Sequence, residues 1–252
     1  MCIVCDQLSS EGKLQSSPKS SSRRAWLGAM GALPFAGTLS LAGVAQASTP
    51  PIPANVLTPD QALERLMAGN ARYVSGQTTP VNFATTRDAL SRGQNPYACL
   101  VSCADSRIGP EYCFDEGRGD LFVTRVAGNF VNTDILASLE FGTAVLGAPL
   151  IMVLGHTSCG AIDAAVQAYT DNASFPGHIQ TLTTALAPAV RQATRSAQGK
   201  ALVAAATQDN VRLNVKKLTE SNPIISERVA KGQLKIVGGI YDLETGRVNL
   251  VS

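Results

Sequence analysis

Four apolar runs mark the chain: Tyr97–Ser102, Leu121–Val126, Leu150–Leu154 and Leu234–Ile240. None alternates with polar residues, so each predicts a strand covered on both faces. Between them, apolar residues recur at helical spacing over Ile135–Leu146, Ala161–Tyr169, Ile179–Ser196 and Asn210–Glu220. Strands separated by helices predict an α/β fold, a central and mostly parallel β-sheet flanked by helices. Upstream, "TPDQALERLMAGNARYVSG" reads as a helix. Thr58 suits the N-cap, Pro59 the first helical position, and Gln61 completes a capping-box pattern. Leu63, Leu66, Met67 and Tyr73 mark its apolar face, and Gly76 can end it. A shorter helix is expected over Ala84–Ser91.

The pattern also locates the chemistry. In open parallel sheets, sites form at the carboxyl ends of the strands. "SCADSR" (102–107) follows the first run, and "GHTSCG" (155–160) follows the third. Both loops should therefore open on the same sheet edge. Zinc favours Cys sulfur and His nitrogen in a tetrahedral shell. Cys103, His156 and Cys159 would supply three ligands and leave a fourth position open, as in a catalytic site. Asp105 lies two residues past Cys103, on the same side of an extended chain. It can take the fourth position or remain beside it, and Arg107 can bond its carboxylate bidentately. Spacing alone leaves a structural zinc, or buried thiols without metal, open. His178, the other histidine, is expected at a helix start, away from the metal.

Charge and composition narrow the class. The 252 residues hold 21 basic and 19 acidic side chains. Residues 1–47 carry four of the bases and two of the acids, which leaves 17 of each in residues 48–252. A neutral body with one Trp gives no electrostatic or stacking case for nucleic acid. At 45% hydrophobic residues, a sizeable core is available.

Residues 1–47 read as a targeting segment. Arg23 and Arg24 precede a weakly apolar run from Ala25 to Val44, and "AQA" (45–47) offers small residues for cleavage after Ala47. Pro34 and repeated glycines make a poor membrane span. "SRRAWLG" resembles the bacterial twin-arginine signal, whose machinery exports folded proteins. The expected location is the periplasm, without stable membrane insertion. Residues 48–57 form a Pro-rich linker to a single domain over 58–252. Cys2 and Cys5 form a C-x2-C that would leave with the signal.

The two loops together resemble those of the β-class carbonic anhydrases, where C-x-D-x-R and H-x2-C bind zinc and carry an Asp–Arg pair. "GDLFVTRVAGN" (119–129), "SLEFGTAVLGAPLIMVLGHTSCGA" (138–161) and "VGGIYDLETGRV" (237–248) are similar to family segments in the same order. The resemblance implies reversible hydration of carbon dioxide to bicarbonate and a proton. Zn2+ would be held by Cys103, His156 and Cys159, with Asp105 and Arg107 as the catalytic dyad. It further implies substrate-binding roles for Gln94, Phe122 and Phe141, the last in place of a more usual tyrosine. One subgroup closes its site with Asp on zinc and carries a Trp of a bicarbonate-binding triad where this chain has Leu100; the triad's basic member corresponds to Arg125. The expected state is therefore open, Asp105 paired with Arg107. The family also implies a homodimer or higher homo-oligomer, with N-terminal helices packing on the partner. Hydrolysis of carbonyl sulfide or carbon disulfide, a non-catalytic zinc protein and a thiol redox protein are the competing readings. Cys99 is expected in the core and Cys113 in a structural role.

Overall fold

The structure is a computed structural model and describes residues 56–251. The targeting segment, its Cys2–Cys5 pair and most of the linker lie outside the described residues. The chain runs α1 (Pro59–Val74), α2 (Phe83–Arg92), β1 (Ala98–Ser102), α3 (Pro110–Cys113), β2 (Leu121–Arg125) and α4 (Thr133–Glu140). A π-helical turn, Phe141–Val145, extends α4. There follow β3 (Leu150–His156), α5 (Gly160–Thr170), α6 (Ile179–Ala193), α7 (Lys200–Thr219), α8 (Ile224–Ala230), β4 (Lys235–Tyr241) and β5 (Val248–Val251). The sheet order is β2-β1-β3-β4-β5. The first four strands are parallel, and β5 pairs antiparallel with β4. No helix among the described residues is long and apolar enough to cross a membrane.

The apolar runs are uniform because both sheet faces are covered. Ala98, Leu100, Leu150, Met152 and Leu154 face one cluster with Leu66 and Phe114. Cys99, Val101, Ile151 and Val153 face the other, with Leu139, Val211, Leu218 and Ile225. Every residue of β1 and β3 is buried, and these two strands form the centre of the sheet. That placement follows from hydrophobic burial, the largest favourable contribution to folding.

Helix α1 starts as its sequence dictates. Thr58 accepts from the Gln61 backbone N–H at 3.3 Å, and the Gln61 side chain accepts from the Thr58 N–H at 2.9 Å. The helix packs on its own chain, burying Ala62, Leu66, Gly69 and Asn70. Asn70 is tied at three points: it donates to the carbonyls of Cys113 and Gly246 and accepts from the Val248 N–H, at 2.8–2.9 Å. Arg65 forks onto Glu116, whose side chain is 4% exposed, and Tyr97 donates to the same carboxylate at 2.8 Å. Gly69 admits Phe114 so closely that a Cβ there would lie 1.8 Å from its carbonyl oxygen. Helix α2, by contrast, buries no residue within the chain.

Four elements depart from expectation. Helix α7 begins at Lys200, ten residues before Asn210, because "ALVAAATQD" continues the helix with small residues that present little periodicity. The short helices α3 and α8 and strand β5 are too brief to carry a pattern of their own.

Candidate metal centre

Parallel pairing of β1 with β3 sets Val101 beside Val153 and Ser102 beside Leu154, so both strands end on one edge. Cys103 leaves β1 there, and His156 closes β3. Ser158 then turns the chain with φ of 54°, and Cys159 occupies the N-cap position of α5. The ligand atoms of Cys103, His156 and Cys159 lie within 4.8 Å of one another, and all three residues are buried. The two sulfurs are 3.9 Å apart.

His156 shows what the cluster is built to hold. Its Nδ1 sits 2.8 Å from the Thr157 carbonyl oxygen, which fixes the hydrogen on Nδ1. The Nε2 lone pair then faces the two sulfurs. It is buried and has no hydrogen-bond partner. Leaving such an acceptor unsatisfied costs about 1–3 kcal/mol. The two thiols hold one proton between them. Cys103 is driven down by the hydrogen bond from Cys159, with further help from the Gly128 amide, against the effect of burial. Cys159 is driven up because it keeps that proton, and burial adds to the rise. A divalent cation that replaced the proton would satisfy both sulfurs and the imidazole. Two sulfurs and one nitrogen are a donor set that zinc favours.

The expected dyad is formed. Asp105 Oδ1 accepts from the Arg107 N–H and Nε, each at 2.9 Å, and Oδ2 accepts from Nη2 at 2.7 Å. Nη2 also donates to the Ser158 carbonyl at 3.1 Å, which braces the second loop against the first. These bonds hold the Asp105 carboxyl well below the usual carboxylate range, Arg107's side chain being the largest cause. Asp105 Oδ2 stands 3.9 Å from His156 Nε2, so an ionised carboxylate flanks the cluster without belonging to it.

Arg125, which the resemblance set at the triad's basic position, bonds the backbone of the metal-side loop. Its guanidinium donates to the carbonyls of Cys103, Asp105 and Ile108 at 2.7–2.9 Å and so staples the metal-side loop from behind. The Gly128 N–H, 3.3 Å from Cys103 Sγ, is a contact that the sequence reading missed. The glycine inside "RVAGN", with φ of +86°, was its only signal.

The three substrate-binding residues are not brought to this cluster. Gln94 is exposed before the amino end of β1, the opposite end from Cys103. Phe122 of β2 pairs in register with Cys99 of β1, and its ring lies 6.3 Å from that of Phe141. Phe141 opens the π-helical turn and is 48% exposed. Within one chain all three stand away from the cluster at the carboxyl ends of β1 and β3. His178 is exposed at the start of α6 and takes no part.

A parallel sheet with a buried Cys–His–Cys cluster at its carboxyl edge, flanked by an arginine-held aspartate, defines a zinc enzyme of the α/β class. The comparisons give the family. Residues 98–248 match the family described as carbonic anhydrase, and the chain belongs to it. It is 40% identical over 193 residues to carbonic anhydrase 2 of Mycobacterium tuberculosis, covering 76% of this chain and 92% of that one. A carbonic anhydrase of Mycolicibacterium smegmatis is 35% identical, over 77% and 94% of the two chains. Among solved structures, the β-carbonic anhydrase CcaA matches with a TM-score of 0.60 and 29% identity, over 75% and 95%. A tetrameric β-carbonic anhydrase of Sordaria macrospora matches with a TM-score of 0.60 and 25% identity, over 72% and 91%. The family is thus the β class, and zinc is its metal.

Proposed function

We propose that the protein catalyses the reversible hydration of carbon dioxide to bicarbonate and a proton, with Cys103, His156 and Cys159 holding zinc. The observation that carries this reading is the buried, partnerless His156 Nε2 facing two sulfurs, with the ionised Asp105 beside it. When bound, zinc supplies a Lewis acid that draws the pKa of water from about 15.7 toward neutrality.

The chain's own residues do the rest. Asp105 stays ionised because Arg107 holds it, so it accepts a hydrogen bond from the attacking water and fixes that water's orientation. Arg107 keeps Asp105 from moving onto the metal, which preserves the open state. Its bond to Ser158 couples the Cys103 loop to the His156 loop. Arg125 keeps the Cys103–Ile108 backbone in place.

The apolar wall for carbon dioxide comes from a second copy. Phe141 and Val145 present half-exposed apolar surface, and α2 leaves Phe83 46% exposed. A cleft of about 1190 Å³ runs from Arg107 past Tyr112 to Val81 and Phe83. A homodimer that covers these surfaces would offer the partner's Gln94, Phe122 and Phe141 positions to each site. Subunit mixing tests this: F122A and C159S chains, each impaired alone, should recover activity together.

Residues 1–47 act as a twin-arginine export signal, and the domain over 58–252 works in the periplasm. Arg23–Arg24 and the "AQA" end support this reading. The amino-terminal sequence of the periplasmic protein should begin at Ser48; a chain that keeps Met1 overturns the assignment.

The direct test is stopped-flow hydration of carbon dioxide by the zinc-loaded protein, with Cys159→Ser as the blank. Fast hydration lost in the variant supports the reading. Stoichiometric zinc without hydration refutes it and turns the search to carbonyl sulfide and carbon disulfide.

A further inference from the structure

Helix α7 carries Asn210, Asn214 and Lys217 at spacings of four and three, which puts them on one face. Asn210 is 3% exposed and Asn214 is 7% exposed. Every bond they make runs to one segment or to each other. Lys217 Nζ donates to the Val131 carbonyl at 2.6 Å, and the Val131 N–H donates to Asn214 Oδ1 at 2.7 Å. Asn214 Nδ2 donates to the Asn210 backbone oxygen and Oδ1, at 2.8 and 3.0 Å. Asn210 Nδ2 donates to the Gly128 carbonyl at 2.8 Å. The Gly128 N–H donates to Cys103 Sγ at 3.3 Å.

The ladder therefore ends on a metal ligand. Gly128 has φ of +86°, and a Cβ on it would lie 2.7 Å from Leu186 Cδ1, so the position takes only glycine, the residue with the freest backbone. Asn214 sets the amide of Asn210 by accepting nothing from it and donating to its oxygen, which leaves Asn210 Nδ2 aimed at Gly128. A buried amide fixed in this way pins the carbonyl on one side of the Gly128 Cα, so the preceding peptide, whose N–H meets the sulfur, is anchored one φ/ψ pair away.

We propose that Asn210 is a positioning residue for the zinc site, acting through Gly128 to keep a backbone N–H on the Cys103 sulfur. The proposal rests on the zinc reading above. Two thiolates donate more charge to a metal than imidazoles would, and an N–H held on one sulfur withdraws part of that charge. Hydrogen bonds to ligands tune a metal centre, and their loss costs about 10–100-fold in metal affinity or activity.

The test uses the full chain loaded with Co(II), whose thiolate-to-metal charge-transfer band reports the electron density on sulfur. In Asn210→Ala the band should move to longer wavelength, and Co(II) affinity should fall about 10-fold or more. Thr207→Val is the control. Thr207 is buried on the same helix and bonds only the Val203 carbonyl, so its loss weakens packing without reaching Gly128. Its band should not move. A folded Asn210→Ala protein with an unshifted band overturns the proposal. Should that variant fail to fold, cadmium-113-loaded wild-type protein gives a second measurement. Scalar coupling between the Gly128 amide proton and cadmium supports the N–H to sulfur bond, and its absence overturns it. If wild-type protein takes up no Co(II) at one per chain, the zinc reading itself has failed instead.

Discussion

Asp105→Asn gives the sharpest test of the dyad. The side chain is isosteric, so folding and zinc loading should persist. Its chemistry is not equivalent. The carboxylate accepts three bonds from Arg107, two on Oδ1 and one on Oδ2. An Asn oxygen can keep the first two, but its NH2 group then meets Nη2, donor against donor. One charge-assisted hydrogen bond disappears from a side chain only 16% exposed. Such a bond is worth about 1.5–3 kcal/mol, which converts to about 10- to 150-fold in rate. The amide also accepts more weakly from the attacking water, so the loss in kcat/KM should reach the upper part of that range. The assay is stopped-flow hydration across pH 6–9 with zinc content measured on the same samples. Because Asp105 is held well below the usual carboxylate range, it is fully ionised throughout that window. Its replacement should lower the plateau without moving the acid limb. A full-rate variant, or a limb that shifts with the plateau unchanged, would refute the assigned role. Stability carries the same sign. A carboxyl whose folded pKa lies below its unfolded value stabilises the fold above about pH 4, and that contribution fades as pH falls through the folded value. The difference in melting temperature between wild type and variant should therefore shrink from pH 6 toward pH 2.

Three further outcomes follow from the described geometry. Burial pushes the Cys99 thiol up to about 12 and, as the largest of several causes, Cys113 up to about 11. After chelation of zinc at pH 7.5, iodoacetamide should label Cys103, the one thiol driven down, ahead of both, as read by mass spectrometry; equal labelling of Cys99 would contradict the burial. Gly69→Ala would drive a Cβ to 1.8 Å from a backbone oxygen that no rotamer change can clear. Overpacking of this kind costs about 3 kcal/mol, or about 6–12 °C in Tm for a domain of this size, and a drop under 2 °C by calorimetry would count against it. The chain has two histidines, His156 in the cluster and His178 at the start of α6. Proton removal near neutral pH thus falls to external buffer, so kcat should rise with imidazole concentration while kcat/KM stays constant; a kcat indifferent to buffer would point to an internal acceptor.

Much of this was legible in the sequence because strong local rules agreed with the tertiary structure. The four strands were visible as unbroken apolar runs, and their common edge placed Cys103 beside His156 and Cys159 before any coordinates. The start of α1 was legible from Thr58, Pro59 and Gln61, since a capping box is closed within four residues. The roles of Gln94, Phe122 and Phe141 rested on the resemblance alone, because they carry no periodic or spacing signal and their place relative to a site depends on packing between distant elements. The Asn210 ladder was hidden for a related reason. Its amides lie 82 and 83 residues from the segment they hold, and buried asparagines look in sequence like ordinary polar positions of a helix. Strand β5 is four residues long and pairs antiparallel, so an argument built on buried parallel strands passed over it.

The three bonds of Asn70 have a consequence in time. Two of them join the first described helix to residues 176 and 178 positions later, at Gly246 and Val248. Until that segment is in place, the Asn70 amide keeps its bond to Cys113 but lacks a partner for its second hydrogen and for its oxygen. Closing so long a loop is a late event in folding, since entropy is lost before the contacts form. A chain whose Gly246–Val248 segment is not yet in place would thus carry α1 undocked, and the arrival of that segment locks the helix down. Pulse-labelled hydrogen exchange should show the α1 amides protected last, together with those of β5.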